Sequence, residues 1–372
     1  MARIADIART LRDAPSNLLT PSYLEFSVCG ACNFACSHCH QLHHLADERA
    51  HSWGEGASVI DAELANDILR QAAEMGIEHV EICGRGEPTL HPKLPEIITL
   101  LRALGLRGSL ITNGSGMNDR LVDAIAACRF DRVSFSVYGS TQETFEKITH
   151  PRRATDLTQL LRWIHRVKQA APRTRVVATV CFTSLHADEL ESLASLVRDL
   201  CVDEFQFTVM RPYHEKQLVS NANPGAGSLT PEAKQLAALI SSDWGRALPT
   251  QLKDFLRRYV EVPQLDTIET TYSRIPCYAG RWATFVCDDG TVRPCSNSNW
   301  ILGDLKRDRL RDIWFGSEYD RFRKAASGDI LRTRRPLPRS YCSHCGWARM
   351  QEIFDEAVKD PESKILDGWD FL

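Results

Sequence analysis

The sequence predicts an α/β fold: an open, partial (β/α)6 barrel followed by a small C-terminal domain built from a β-hairpin and a helix. Three observations predict it. Short β-prone runs alternate with amphipathic helical stretches from Tyr23 to Met210. Cys29, Cys32, Cys36 and Cys39 follow the first of those strands directly, at the sheet end where α/β folds carry their chemistry. Beyond Pro263 the alternation stops and an Asp-Gly hairpin flanked by further cysteines takes over.

The elements follow in order. Residues 1–20 read as a short amphipathic helix and a linker. The alternating run 23–28 (YLEFSV) is a strand leading into the cysteines. Residues 40–60, with His40, His43, His44 and His51, form an irregular connection. Helix 62–75 starts behind Asp61 as N-cap. The repeat then continues as strand 79–83, helix 94–104, strand 108–112, helix 119–127, strand 132–137, helix 157–170 behind Asp156, strand 175–182, helix 188–200 and strand 204–210. Strands joined by helices imply a parallel sheet with helices outside it. With the first strand this makes six units, too few to close an eight-unit barrel. Residues 213–230 form a link, and helices are expected at 231–242 and 250–260. The run 282–287, then Asp288-Asp289-Gly290, then 291–293 is the hairpin. The domain expectation is therefore 1–20 helix and linker, 21–215 barrel, 216–262 helical linker and 263–372 C-terminal domain.

Composition narrows the function classes. The chain has 372 residues, 43% hydrophobic and 25% charged, with a net charge of -3. That balance carries no basic footprint for nucleic acid or an anionic membrane. The N-terminus lacks the apolar run of a signal peptide, and no stretch is long and apolar enough for a membrane span. The expectation is a cytoplasmic monomer with no nucleic-acid or membrane partner. Thiols stay reduced in that compartment, so thirteen cysteines, an odd number, point to metal or catalysis rather than disulfides.

Cys32, Cys36 and Cys39 spell C-x3-C-x2-C. Three closely spaced thiolates on a loop suit an iron–sulfur cluster, and three ligands on four irons leave one iron open. An open position marks a reactive centre rather than a structural one. Two other readings exist, in which Cys29 joins as fourth ligand of a zinc site or of a closed ferredoxin-like cluster. Cys277, Cys287 and Cys295 form a second group, and Cys342 and Cys345 a third. Cys83, Cys128, Cys181 and Cys201 stand among apolar residues and read as small buried hydrophobes.

The second strand ends in Cys83-Gly84-Arg85-Gly86-Glu87-Pro88. Glycines there let a ligand approach the backbone, and Glu87 offers a carboxylate to a ligand ammonium. With C-x3-C-x2-C one unit earlier, this string resembles the radical S-adenosylmethionine (SAM) superfamily. Cys32, Cys36 and Cys39 match its cluster motif, and Arg85–Pro88 resembles its GGEP motif with Arg85 in place of the first glycine. The run 110–114 (LITNG) and the run 134–139 (SFSVYG) resemble its third- and fourth-strand segments. The likeness covers about residues 22–212. It implies SAM chelated to the open iron, Glu87 on its amino group, and Ser136 or Asn113 on its ribose or carboxylate. Gly84, Gly86 and Pro88 would shape that loop. His38 stands where the family usually has an aromatic residue before the last cluster cysteine. Arg152 and Arg153 are further candidates for the SAM carboxylate.

The C-terminal cysteines resemble the shortened, "twitch" form of the family's SPASM domain. That likeness implies one auxiliary four-iron cluster on Cys277, Cys295, Cys342 and Cys345, and a helix near 305–315. Cys287 is left to replace Cys277, donate a hydrogen atom, or pack. The cofactors implied are thus two 4Fe–4S clusters and SAM, with a flavodoxin or ferredoxin-type electron donor. The chemistry implied is hydrogen abstraction by a 5′-deoxyadenosyl radical. No leader-gripping N-terminal domain stands out, and the length and layout are similar to twitch relatives that act on sugars, aminocyclitols or sugar nucleosides. The expected substrate is therefore a sugar-like small molecule attacked at a carbinol C–H, with dehydrogenation, decarboxylation or epimerisation as outcome. Arg211, Tyr213, His214, Glu215 and the histidines at 40–51 are its candidate binders. The alternatives are a maturase acting on a ribosomal peptide or protein, including sulfatase-type maturation, and a non-enzymatic electron carrier.

Overall fold

The computed structural model describes residues 2–13, 18–36, 39, 58–151, 156–182, 186, 189–209, 249–250, 252, 276–326 and 348–360. The fold is α/β with a predominantly parallel sheet. The chain divides into two compact units. One comprises Met1–Gly30, Ala57–Leu110 and Asp266–Leu372, the other Ala31–Gly56 and Ile111–Leu265.

The first unit is built on β1 (Tyr23–Ser27), β2 (His79–Cys83) and the start of β3 (Arg107–Thr112). α1 (Ala2–Asp13) precedes them, and α2 (Ala62–Glu74) and α3 (Leu94–Ala103) connect them. α2 begins where the sequence places it, with the Asp61 carboxylate accepting from the Glu63 and Leu64 amides. β1 pairs in parallel with β2 on one side. On its other side it pairs in parallel with β7 (Ala283–Val286), the first strand of the expected hairpin. β8 (Thr291–Arg293) returns antiparallel through Gly290, whose φ of +85° favours glycine. β9 (Gly303–Asp304) extends this edge.

Register gives this sheet two unlike faces. Side chains alternate along a strand, so Leu24, Phe26, Val80, Ile82, Leu110 and Val286, all 0% exposed, share one apolar face. Tyr23, Glu25, Ser27, His79, Glu81, Cys83 and Ser109 share the other. That second face is polar and still largely buried. Burying polar groups costs free energy unless they are paired, so a face of this kind is not built for packing alone.

α8 (Leu310–Trp314) is shorter than the helix expected at 305–315, and α9 (Ser317–Ala326) and α10 (Ala348–Lys359) follow. Ile353, Phe354 and Ala357 of α10 pack with Ile7 and Ala8 of α1 against Tyr23, Trp282 and Ala283. Each large apolar side chain buried there contributes about 1.5–3 kcal/mol.

In the second unit β4 (Arg132–Ser136), β5 (Arg175–Phe182) and β6 (Glu204–Val209) pair in parallel. Their helices are α4 (Asp119–Ala127), α5 (Gln142–Thr149), α6 (Leu157–Ala170) and α7 (Leu190–Asp199). α5 is absent from the sequence expectation. Its buried face is Thr144, Phe145, Ile148 and Thr149, half of it threonine, so no apolar period shows. The Thr141 hydroxyl caps it by accepting from the Thr144 amide. The link at 213–230 and the helix at 231–242 lie outside the described residues, as does nearly all of 250–260. No helix among the described residues is long and apolar enough to cross a membrane.

Candidate metal centre

Cys29 lies buried at the end of the first unit, ahead of the other three cysteines. Its side chain is 0% exposed, and its carbonyl accepts the Gly86 amide at 3.0 Å. Cys32, Cys36 and Cys39, by contrast, are partly exposed. Their loop is braced by α5, the helix missed in the sequence: the Phe34 ring meets the Phe145 edge at 5.8 Å, and the Ala35 amide donates to the Thr149 carbonyl at 2.8 Å. The Cys39 amide closes a turn onto the Cys36 carbonyl. Burial pushes the Cys36 thiol well up, and the neighbouring Cys39 and Cys32 push it further.

Polar groups converge on Cys32. Its sulfur accepts from the Phe34 amide at 3.4 Å and from the Asn113 side-chain amide at 3.9 Å. Asn113 also donates to Asn33 and accepts from the Ser115 amide, while the Ser115 hydroxyl donates to Asn33 at 2.9 Å. Ser136 hydrogen-bonds the Tyr138 hydroxyl, whose pKa is raised by burial and then by Cys36. Tyr138, Phe34 and Ser115 are site residues that sequence reasoning did not select. Soft thiolates with N–H donors on sulfur fit an iron–sulfur cluster, since hydrogen bonds to the ligand sulfurs tune such clusters.

The Gly84–Pro88 loop belongs to the first unit. A Cβ on Gly84 would lie 2.5 Å from the Gly86 carbonyl oxygen, so the turn admits only glycine. Glu87 is 3% exposed, and one carboxylate oxygen accepts from the Thr89 amide and hydroxyl at 3.0 and 2.6 Å. It thereby caps the single turn Pro88–Leu90. Arg85, the departure from glycine, has a clear role. Its guanidinium lies 3.6 Å from both Asp288 and Asp289 in the hairpin turn. Asp288 also accepts from the Ser27 and Ser58 hydroxyls, and a Cβ on Gly30 would strike it at 2.4 Å. One buried carboxylate thus ties the end of β1, the Gly84–Pro88 loop and the hairpin together.

Of the second cysteine group, Cys277 and Cys295 are partly exposed, whereas Cys287 is 0% exposed and packs with Cys83 and Phe285. Burial pushes the Cys287 thiol up to about 11, so it is neutral at pH 7. Cys83, Cys128 and Cys181 are buried as expected, but Cys201 is exposed. His38, Cys342, Cys345, Arg152, Arg153, Arg211, Tyr213, His214, Glu215 and the histidines at 40–51 lie outside the described residues.

Residues 26–197 match the profile of the radical SAM superfamily. The chain therefore carries a radical SAM domain. Residues 277–346 of this radical SAM protein match the SPASM profile, an iron–sulfur cluster-binding domain that takes in Cys277, Cys295, Cys342 and Cys345. Its cofactors are accordingly SAM and 4Fe–4S clusters, and it is an enzyme. It is 26% identical over 202 residues to a GTP 3′,8-cyclase of Chlorobaculum tepidum, covering 54% of this chain and 56% of that relative. It is 29% identical over 310 residues to a PqqA peptide cyclase of Xanthomonas campestris pv. campestris, covering 79% of this chain and 74% of that one. The crystal structure of Streptococcus suis SuiB bound to S-adenosylmethionine shares the fold, with a TM-score of 0.59 at 15% identity over 87% of this chain and 74% of SuiB.

Proposed function

We propose that this radical SAM enzyme modifies a peptide or protein. One observation carries the reading. The similarity to a PqqA peptide cyclase extends over 79% of the chain, a length that takes in more than the radical SAM segment. The similarity to the GTP 3′,8-cyclase, which favours a small molecule, spans 54%. The sugar-like substrate expected above rests on length and layout alone, and the peptide alternative takes its place as the leading reading.

In this reading Cys32, Cys36 and Cys39 hold the SAM-binding cluster, and Cys277, Cys295, Cys342 and Cys345 hold the auxiliary one. When bound, the first cluster and SAM together supply a 5′-deoxyadenosyl radical that takes a hydrogen atom from the substrate. The protein's own part is positioning. Phe34 and Asn113 donate to the Cys32 sulfur. Gly84 and Gly86 keep the loop backbone bare, and Glu87, one oxygen fixed by Thr89, offers a carboxylate suited to a ligand ammonium. Ser136, with Tyr138, lines the approach to Cys36.

The test is anaerobic incubation of the reconstituted protein with SAM, dithionite and short peptides encoded beside its own gene. The expected result is 5′-deoxyadenosine together with a mass change in one peptide. Stoichiometric turnover of a sugar or nucleotide, with every peptide unchanged, would sink the proposal.

A further inference from the structure

The polar face of the first unit's sheet holds a group of side chains that the cluster site does not use. Glu25 of β1 stands opposite Glu81 of β2 in the parallel register. Oxygen atoms of both carboxylates and the Cys83 sulfur lie within 4.8 Å of one another. The Cys83 thiol donates to one oxygen of Glu25 at 3.6 Å, and Ser296 also hydrogen-bonds this carboxyl, through its hydroxyl and its amide. The other Glu25 oxygen is buried and has no hydrogen-bond partner among the described residues, on a side chain only 7% exposed. Glu81 is half-buried. It accepts from the Ser109 hydroxyl at 3.3 Å, with Tyr23 beside it.

Two carboxylates placed together out of water repel each other, and an unmet buried acceptor forfeits its hydration. Such an arrangement is retained where a bound partner completes it. We propose that Glu25, Glu81 and Cys83 form a cation-binding subsite that takes an ammonium or guanidinium group of the substrate. Two features favour an organic cation over a metal ion. Cys83 donates its thiol to Glu25, and a single sulfur with two carboxylates and no histidine is not one of the nitrogen- and sulfur-rich sets that zinc takes. Calcium and magnesium take six or more oxygens, and two carboxylates with a sulfur are a poor set for them. An ammonium presents three N–H donors, enough to reach both carboxylates at once. Assigning that group to a lysine or arginine of a peptide rests on the peptide reading, whereas cation binding itself does not.

The test uses the full-length reconstituted protein and follows thermal unfolding with n-butylammonium, methylguanidinium and neutral n-butanol. The organic cations should raise Tm saturably by about 2 °C or more, and butanol should not. Glu25→Gln should weaken cation binding about tenfold or more, because a charge-assisted hydrogen bond is lost. In the ligand-free protein the same variant should unfold no earlier than wild type, since it replaces a buried carboxyl, one of whose oxygens has no hydrogen-bond partner among the described residues, with a neutral amide. Any of three results overturns the proposal: butanol matching butylammonium, Glu25→Gln unfolding earlier because the carboxylate is structural, or Zn2+ binding that depends on both Glu25 and Cys83. Cation binding without any peptide modification would instead overturn only the peptide reading.

Discussion

Cys32, Cys36 and Cys39 lie partly open on a loop, whereas Cys83 and Cys287 are buried at 7% and 0% exposure. The side chain is the same and its chemistry is opposite. On the loop, neighbouring thiols and amide donors surround a soft chelating set, ready to be ionised by iron. Cys83, on the sheet face, instead donates to Glu25, and Cys287 packs against Cys83 and Phe285. Spacing identifies which cysteines cluster, and solvent access identifies which of them a metal can claim.

The sharpest way to break this contrast is to remove the loop thiols. Changing Cys32, Cys36 and Cys39 to Ala together should lower iron from about eight to about four per chain and abolish 5′-deoxyadenosine formation. Iron analysis and chromatography read the two effects, and unchanged iron would refute the loop assignment. Cys287→Ala should leave iron content unchanged, and any loss of iron would move Cys287 into the ligand set.

The next largest effect tests the buried carboxylate that ties the hairpin to the Gly84–Pro88 loop. Asp288→Ala leaves Arg85, 8% exposed, with Asp289 alone and takes the acceptor from the Ser27 and Ser58 hydroxyls, and should cost about 3 kcal/mol in urea unfolding. Arg85→Ala should cost less, because Asp288 keeps the Ser27 and Ser58 hydroxyls. Equal costs would mean that the serines contribute nothing.

A pH series sharpens the sheet-face half. Burial, and then Glu81, push the Glu25 carboxyl from 4.5 up to about 8. The folded protein therefore keeps a proton that the unfolded chain has lost between those values. Stability falls as pH rises from 4.5 to 8, by at most about 1.4 kcal/mol per pH unit from this group. Glu25→Gln should flatten that slope, and a slope unchanged in the variant would assign it to other groups.

The smallest effect is at Asn113. Asn113→Ala removes one N–H donor from the Cys32 sulfur, worth about 1 kcal/mol, and should lower the cluster midpoint by about 40 mV with iron content intact. Redox titration followed by electron paramagnetic resonance measures it.

Much of the fold is legible in the sequence. Asp61 and Asp156 announce their helices, and the two helices 119–127 and 157–170 fall where their apolar period puts them. The misses have physical causes. α5 hides because threonines fill half of its buried face, and it is the helix that braces the cysteine loop. Thr89 carries no motif of its own, Tyr138 sits unmarked inside the run 134–139, and only their neighbours give them roles. Arg85 reads in the sequence as a lapse from glycine, and its partner Asp288 lies 203 residues along the chain.

By itself the sequence determined the local chemistry: a C-x3-C-x2-C loop behind a strand, a glycine-rich turn ending in Glu87, and the strand–helix alternation. These depend on spacing and on the preferences of neighbouring residues, which a linear string records. The tertiary structure alone decided the pairings across distance. It set β7 beside β1, Arg85 on Asp288, and Glu25 against Glu81 with an oxygen left unmet. Such pairings arise from strand register and from the need to bury charge with company, and no short stretch of sequence carries either.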